Sequence, residues 1–268
     1  MTRNSILVTG ATSFLAGHFL RCIGDDAAIT ATRRVDPSIV ARGGFDVVVN
    51  FSYDRALADQ PYDPERDPDR ILAEAIAPLP THFFMLSSRT VYGRGDGSRY
   101  KEDAALAPAT PYARNKAETE AFVRHCLGDR ATILRLSNIF GMEAGRHTFA
   151  GRALATLKKE RRINLDISAD SARDFLPVET FALVLAKLLT IRPGMTLNVG
   201  SGIPVPIGDM ARWFIQGFGE GEIIAESNAR FDEFSLDIGG LESFIGPVTT
   251  REAIKAAAQA AGRELKNA

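Results

Sequence analysis

A doubly wound α/β fold on a parallel sheet is what this sequence predicts, from three observations. Short, uniformly apolar runs recur, Ile6-Leu7-Val8 and Val47-Val48-Val49 among them, as expected of strands covered on both faces. Segments with apolar residues at helical spacing lie between such runs, and this alternation implies right-handed crossovers. The first run closes on Thr9-Gly10 and opens directly into a helical pattern, where a dinucleotide-binding turn belongs.

Taken in order, Ile6-Leu7-Val8 is the first strand, and a helix follows from about Ser13 to Ile23. Phe14, Leu15, Phe19, Leu20 and Ile23 form its apolar stripe. Ala28–Thr32 reads as a second strand, Asp46–Asn50 as a third and His82–Leu86 as a fourth. The interval between the second and third is so short that it holds only a short helix or a loop. Pro61, Pro64 and Pro68 break the approach to a helix near Asp69–Ala77. Tyr112–Leu127 is a long helix, and Ala131–Leu136 a fifth strand. No internal repeat or low-complexity segment interrupts the pattern.

The length of 268 residues suits one large α/β domain or a nucleotide domain with a small appendage. Hydrophobic content of 45% and charged content of 24% are those of a soluble globular chain. A formal net charge of -1 gives no reason to expect nucleic acid or an acidic membrane as partner. No apolar stretch reaches the roughly 20 residues that span a bilayer, and no signal peptide is read, so a cytoplasmic protein is expected. Cys22 and Cys126 have no ligand spacing and are expected to be small buried apolar side chains. His18, His82, His125 and His147 form no ligand pair, and no metal is expected.

The segment Gly10-Ala11-Thr12-Ser13-Phe14-Leu15-Ala16 is a degenerate glycine fingerprint: Gly10 matches, while Ser13 and Ala16 take the two later glycine positions. Its position in the first strand–helix unit still makes it the expected seat of a pyrophosphate at a helix N-terminus. Gly10, Thr12, Ser13, Phe14 and Leu15 are the residues concerned. After the second strand, an NAD site usually shows a carboxylate for the ribose hydroxyls, but this chain shows Arg33-Arg34. Two guanidiniums suit a 2′-phosphate, so NADP is the expected cofactor, with NAD as the alternative.

Ser88, Tyr112 and Lys116 carry the candidate chemistry. Tyr112 and Lys116 are one helical turn apart on one face. An ammonium near a phenol favours the phenolate and lowers a tyrosine pKa from about 10, so the phenol can exchange a proton with a carbonyl or alcohol. Ser88 supplies a second hydrogen bond to the same oxygen.

These residues together resemble the extended short-chain dehydrogenase/reductase family, in its nucleotide-sugar epimerase, dehydratase and ketoreductase members. The resemblance spans nearly the whole chain. Ser88, four before Tyr92 of Val91-Tyr92-Gly93, matches the catalytic serine, and Tyr112 and Lys116 match the catalytic pair. The lysine of that pair also binds the nicotinamide ribose. Phe51-Ser52 resembles the loop over the cofactor, and Arg135-Leu136-Ser137-Asn138 the segment whose asparagine holds substrate. Leu165–Phe175 resembles a hairpin before an Arg-Asp-Phe motif, and Ala229–Asp232 a C-terminal Arg…Asp segment. The resemblance implies that Arg173 and Arg230 hold a diphosphate, with Thr90 and Asn138 also facing substrate. Arg89-Thr90 stand where dehydratases carry Asp-Glu, which argues against dehydration.

The expected division is a Rossmann domain over 1–141, rejoined by 173–200, and a smaller substrate-binding region from 142–172 and 201–268. Trp213 and Phe214 are expected in its core, although an aromatic there is able to stack on a base. Three functions stand open: an NADP-dependent reductase of a keto group on a nucleotide-linked sugar, a nucleotide-sugar 4-epimerase with retained NAD, and a non-catalytic NAD(P)-binding protein. The resemblance also implies a homodimer through the helices near Asp69–Ala77 and Tyr112–Leu127.

Overall fold

The computed structural model describes residues 4–24 and 28–268. β1 (Ser5–Thr9) leads through α1 (Phe14–Ile23) to β2 (Ala28–Thr32), and α2 (Pro37–Ala41) precedes β3 (Val47–Asn50). α3 (Pro68–Ile76) crosses to β4 (His82–Ser88), which is followed by β5 (Asp96–Tyr100) and α4 (Pro111–Leu127). β6 (Ala131–Leu136), β7 (Asn138–Phe140), α5 (Phe149–Glu160), β8 (Arg162–Leu165), β9 (Ala172–Pro177), α6 (Val178–Ile191) and β10 (Thr196–Val199) continue the chain. β11 (Pro204–Pro206), α7 (Ile207–Phe218), β12 (Glu222–Ala225), β13 (Glu233–Leu236), α8 (Gly239–Ile245) and α9 (Arg251–Asn267) complete it.

The central sheet has six parallel strands in the order β10-β6-β4-β3-β1-β2. The connections leave β1 in opposite directions, to β2 on one side and β3 on the other, so the crevice for a ligand opens outside the strand C-termini there. Among the described residues no strand lies beyond β2, because the interval after it supplies only α2, as its shortness implied. β1 and β3 explain the apolar runs: Ile6, Val8, Val47 and Val49 pack into the core that contains Phe19 and Phe181, whereas Leu7 and Val48 pack with Leu72 and Val123 on the opposite face. Two covered faces and a period of two require every residue to be apolar.

A second core forms where α5, α7 and α9 meet β9 and β11, around Phe140, Leu154, Phe175 and Phe214. α7 and α9 approach so closely that a Cβ at Gly262 would lie 2.2 Å from the Phe214 carbonyl oxygen. Trp213 and Phe214 are buried in this core, and no base can stack on them there.

Three expectations need correction. β8 pairs in parallel with β12 rather than with β9, so Leu165–Phe175 is a turn between two sheets and not a hairpin. Residues 172–177 pair with β7 and β11, and the return to the central sheet is made by α6 and β10. Cys22 is exposed on α1 because it falls off the Phe14–Phe19 stripe, while Cys126 is half-buried with its Sγ 3.7 Å from the Ala73 carbonyl. Among the described residues, no helix is long and apolar enough to cross a membrane.

Candidate active site

The glycine turn keeps its strand–helix geometry despite its substitutions. Gly10 has φ +70°, and a Cβ there would lie 2.5 Å from the Ser52 amide nitrogen, so only glycine lets the β1 and β3 loops meet. Ser13, where bare backbone was expected, turns its hydroxyl inward and caps α1 by accepting from the Ala16 amide. Ala16 is fully buried against the sheet. The turn borders a cavity of about 870 Å³ lined by Gly10, Thr12, Ser13, Arg33, Arg34, Phe51 and Ser52, with Arg146 reaching in from elsewhere. The buried hydroxyls of Ser52 and Tyr53, both on that wall, have no hydrogen-bond partner within the protein. Unsatisfied buried donors at an open cavity suit a polar ligand, so the residues present fit a dinucleotide. Asp36, the nearest carboxylate after β2, is instead committed to α2, accepting from the Ser38 amide at 2.9 Å.

A second cavity of about 440 Å³ holds Ser88, Thr90, Tyr112, Asn138 and Arg173, with Leu15 at its cofactor end. β4 and β6 run in register to Ser88↔Leu136, which places Ser88 at the sheet's C-terminal edge. The Ser88 Oγ accepts from the Thr90 amide at 3.2 Å and from the Thr90 hydroxyl at 3.0 Å. Both bonds are accepted, so the serine's own proton is free to be donated. Tyr112 sits in the first turn of α4, started by the Thr110 cap and Pro111, and packs edge-on against Tyr53 at 5.3 Å. Asn138 donates to the Asp174 carbonyl at 3.1 Å.

Lys116 is buried and lines neither cavity. Its Nζ donates to Asp69 Oδ2 and to the Leu86 carbonyl, each at 2.9 Å. Burial opposes its charge, but Asp69 and the neighbouring Tyr112 phenol outweigh that and raise its pKa, keeping the ammonium. Burial pushes the Asp69 carboxyl up in turn, against the pull of Lys116. Asn50, at the end of β3, donates to Asp69 Oδ1 at 2.6 Å and accepts from the Ser52 amide at 2.8 Å. One chain of bonds therefore ties the Ser52 loop beside the 870 Å³ cavity to the lysine.

The third cavity, about 650 Å³, adjoins the second through Phe149, Arg152 and Arg173, and is also lined by Asn164, Asp166, Glu226 and Phe231. Arg173 donates to the Asp232 carbonyl at 3.1 Å. Arg230 is not brought to any of these three cavities: its side chain is 64% exposed and faces Glu233 at 3.5 Å. Arg152, which the sequence reading passed over, stands between the two cavities with no ion pair or side-chain hydrogen bond among the described residues. Arg89, in place of an acid, forks onto Asp232 with one bond of 2.8 Å and stacks 4.0 Å from the Phe234 ring. Burial works against the Asp232 carboxylate, yet Arg89 holds its pKa below the usual range. This pair latches the end of β4 to the C-terminal segment.

Glu143 also lines the second cavity. Its side chain is buried, Oε2 accepts from Arg146 Nη1 at 3.1 Å, and Oε1 has no partner. Burial pushes its pKa up to about 7 from 4.5. Between those values the folded state holds a proton that the unfolded chain releases, so stability falls as pH rises through that window. Glu143→Gln, which keeps the shape without the charge, is expected to gain at most about 3 kcal/mol over the parent at pH 8 and almost nothing at pH 5. Urea denaturation at both pH values reads this, and an equal difference at the two would rule it out.

The family model described as NAD dependent epimerase/dehydratase family matches residues 6–200. No curated protein sequence matches the chain. Among solved structures, the UDP-N-acetylglucosamine 4-epimerase from Methanobrevibacter ruminantium M1 is 16% identical with a TM-score of 0.83, covering 100% of both chains. RMD from Pseudomonas aeruginosa, complexed with NADPH, is 20% identical with a TM-score of 0.78, again over 100% of both. The dTDP-glucose 4,6-dehydratase from Bacillus anthracis str. Ames, in complex with NAD, is 17% identical with a TM-score of 0.78 over 96% of each chain. At these identities the structures show a shared fold. With the family model matched over most of its length, the chain belongs to the NAD dependent epimerase/dehydratase family.

Proposed function

We propose that this protein is an NADP-dependent reductase of a keto group on a nucleotide-linked sugar. The observation that carries the cofactor choice is the wall of the 870 Å³ cavity, where Arg33 and Arg34 stand beside the glycine turn while Asp36 is spent on capping α2. Guanidiniums suit a 2′-phosphate, whereas a bare ribose diol is usually met by a carboxylate that accepts from its hydroxyls.

The bound nicotinamide would supply the hydride to the carbonyl carbon. Tyr112 gives its phenolic proton to the carbonyl oxygen, and Ser88 holds that oxygen with its free O–H. Lys116 stabilises the negative charge that develops on the tyrosine oxygen. Two of its three protons are held by Asp69 and Leu86, and because it lines neither cavity it acts through its charge rather than by contact with the ribose. Thr90 orients Ser88, and Asn138 faces the sugar. The third cavity has room for a nucleoside diphosphate, with Arg173 and the unpaired Arg152 as phosphate ligands and Phe149 or Phe231 as a surface for the base.

Titration with NADPH and NADH is the test. NADPH is expected to bind more tightly, and Arg33→Ala/Arg34→Ala to weaken it about 10- to 100-fold while sparing NADH, the range for lost charge-assisted hydrogen bonds. Tightly retained NAD would support the 4-epimerase reading instead, and binding of neither would support a non-catalytic protein. The proposed homodimer through α3 and α4 is to be checked by solution mass; a monomeric mass at micromolar concentration would rule it out.

A further inference from the structure

Among the described residues, Arg146 alone lines both the 870 Å³ cavity of Arg33 and Arg34 and the 440 Å³ cavity of Ser88 and Tyr112. It comes from neither the glycine turn nor the catalytic strands, but from the segment between β7 and α5. Its guanidinium stacks 4.8 Å from the ring of Phe14, the first residue of α1. A dinucleotide with its adenosine end against Arg33 and its nicotinamide beside Tyr112 must pass its diphosphate between those cavities, and so past Arg146.

We propose that Arg146 clamps the diphosphate of the bound dinucleotide, beside the N-terminus of α1. The inference rests on the proposed placement of the dinucleotide, though not on the preference for NADP. The support around the residue is built for this. Glu143 is fully covered and holds Nη1 of Arg146, which fixes the guanidinium by one edge. Phe14 fixes its plane from below. The side chain remains 46% exposed, with its other nitrogens free to donate. A guanidinium held by an edge and a face, and open on a cavity, is a preorganised oxyanion ligand. The α1 N-terminus borders the same cavity and supplies amide donors, since Ser13 spends its hydroxyl on the cap.

The experiment is calorimetric titration of the full chain with NADP⁺, NAD⁺, 2′-phospho-ADP-ribose, ADP-ribose and adenosine 2′-monophosphate. Arg146→Ala is expected to lose about 10- to 100-fold in affinity for every ligand that carries the diphosphate, and to bind the 2′-monophosphate as the parent does. Arg146→Lys should recover part of the loss by restoring charge without the fork. Glu143→Gln/Arg146→Ala, which leaves no orphaned carboxylate, should lose as much as Arg146→Ala, separating a binding role from damage to the loop. Unchanged affinity for the diphosphate ligands would overturn the proposal, as would an equal loss for all five. NAD⁺ binding more tightly than NADP⁺ would refute the reading of Arg33 and Arg34, while the clamp would still be read from NAD⁺ and ADP-ribose.

Discussion

Tyr112→Phe is expected to cut turnover by about 10²- to 10⁴-fold while leaving dinucleotide affinity nearly unchanged. The substitution removes one oxygen from a ring whose packing against Tyr53 does not use that oxygen. The loss therefore reports on proton transfer and not on the shape of the cavity. Ser88→Ala removes the second hydrogen bond to the carbonyl, and a smaller loss of about 10²-fold or less follows, because the tyrosine still delivers the proton. Single-turnover oxidation of NADPH by a nucleotide keto-sugar isolates this step from product release. A phenylalanine variant with parental turnover would remove Tyr112 from the role of acid, and both enzymatic readings with it.

The sequence made the frame legible because its signals are local. Runs such as Val47-Val48-Val49 report burial on both faces, and Thr9-Gly10 before the Phe14–Ile23 stripe reports a strand–helix turn. Ser88, Thr90, Tyr112 and Asn138 lie next to short signatures, and the structure gathers them on one cavity wall. The groups that were not legible are joined across long separations. Asp69 meets Lys116 from another helix, and Arg89 meets Asp232 from the far end of the chain. No periodicity encodes such a pair, since each member reads alone as a surface charge. Asp69 did carry one faint signal: it sits three residues before Leu72 on a face that must be buried. Arg230 shows the converse, because the motif spacing was right while the backbone turns its side chain to solvent.

Asp69→Ala is expected to destabilise the fold by about 3–5 kcal/mol, since it leaves the Lys116 ammonium buried without its carboxylate. In thermal unfolding this is a drop on the order of 10 °C. The loss has two sources: the stranded charge, and the Asn50 amide left without Oδ1 as acceptor. Asp69→Asn/Lys116→Met removes both charges at nearly constant shape, and should recover part of what Asp69→Asn alone loses, because no uncompensated ion remains. The pair also bears on catalysis. Burial is the strongest influence on Lys116, and it is Asp69 that chiefly opposes it. Without the carboxylate, the lysine's pKa falls, so activity in Asp69→Asn should survive at low pH and fade as pH rises through the new value. A purely structural Asp69 would lower stability without moving the pH profile of kcat. Measuring that profile beside the unfolding curve therefore separates a residue that only fills the core from one that keeps the ammonium charged beneath Tyr112.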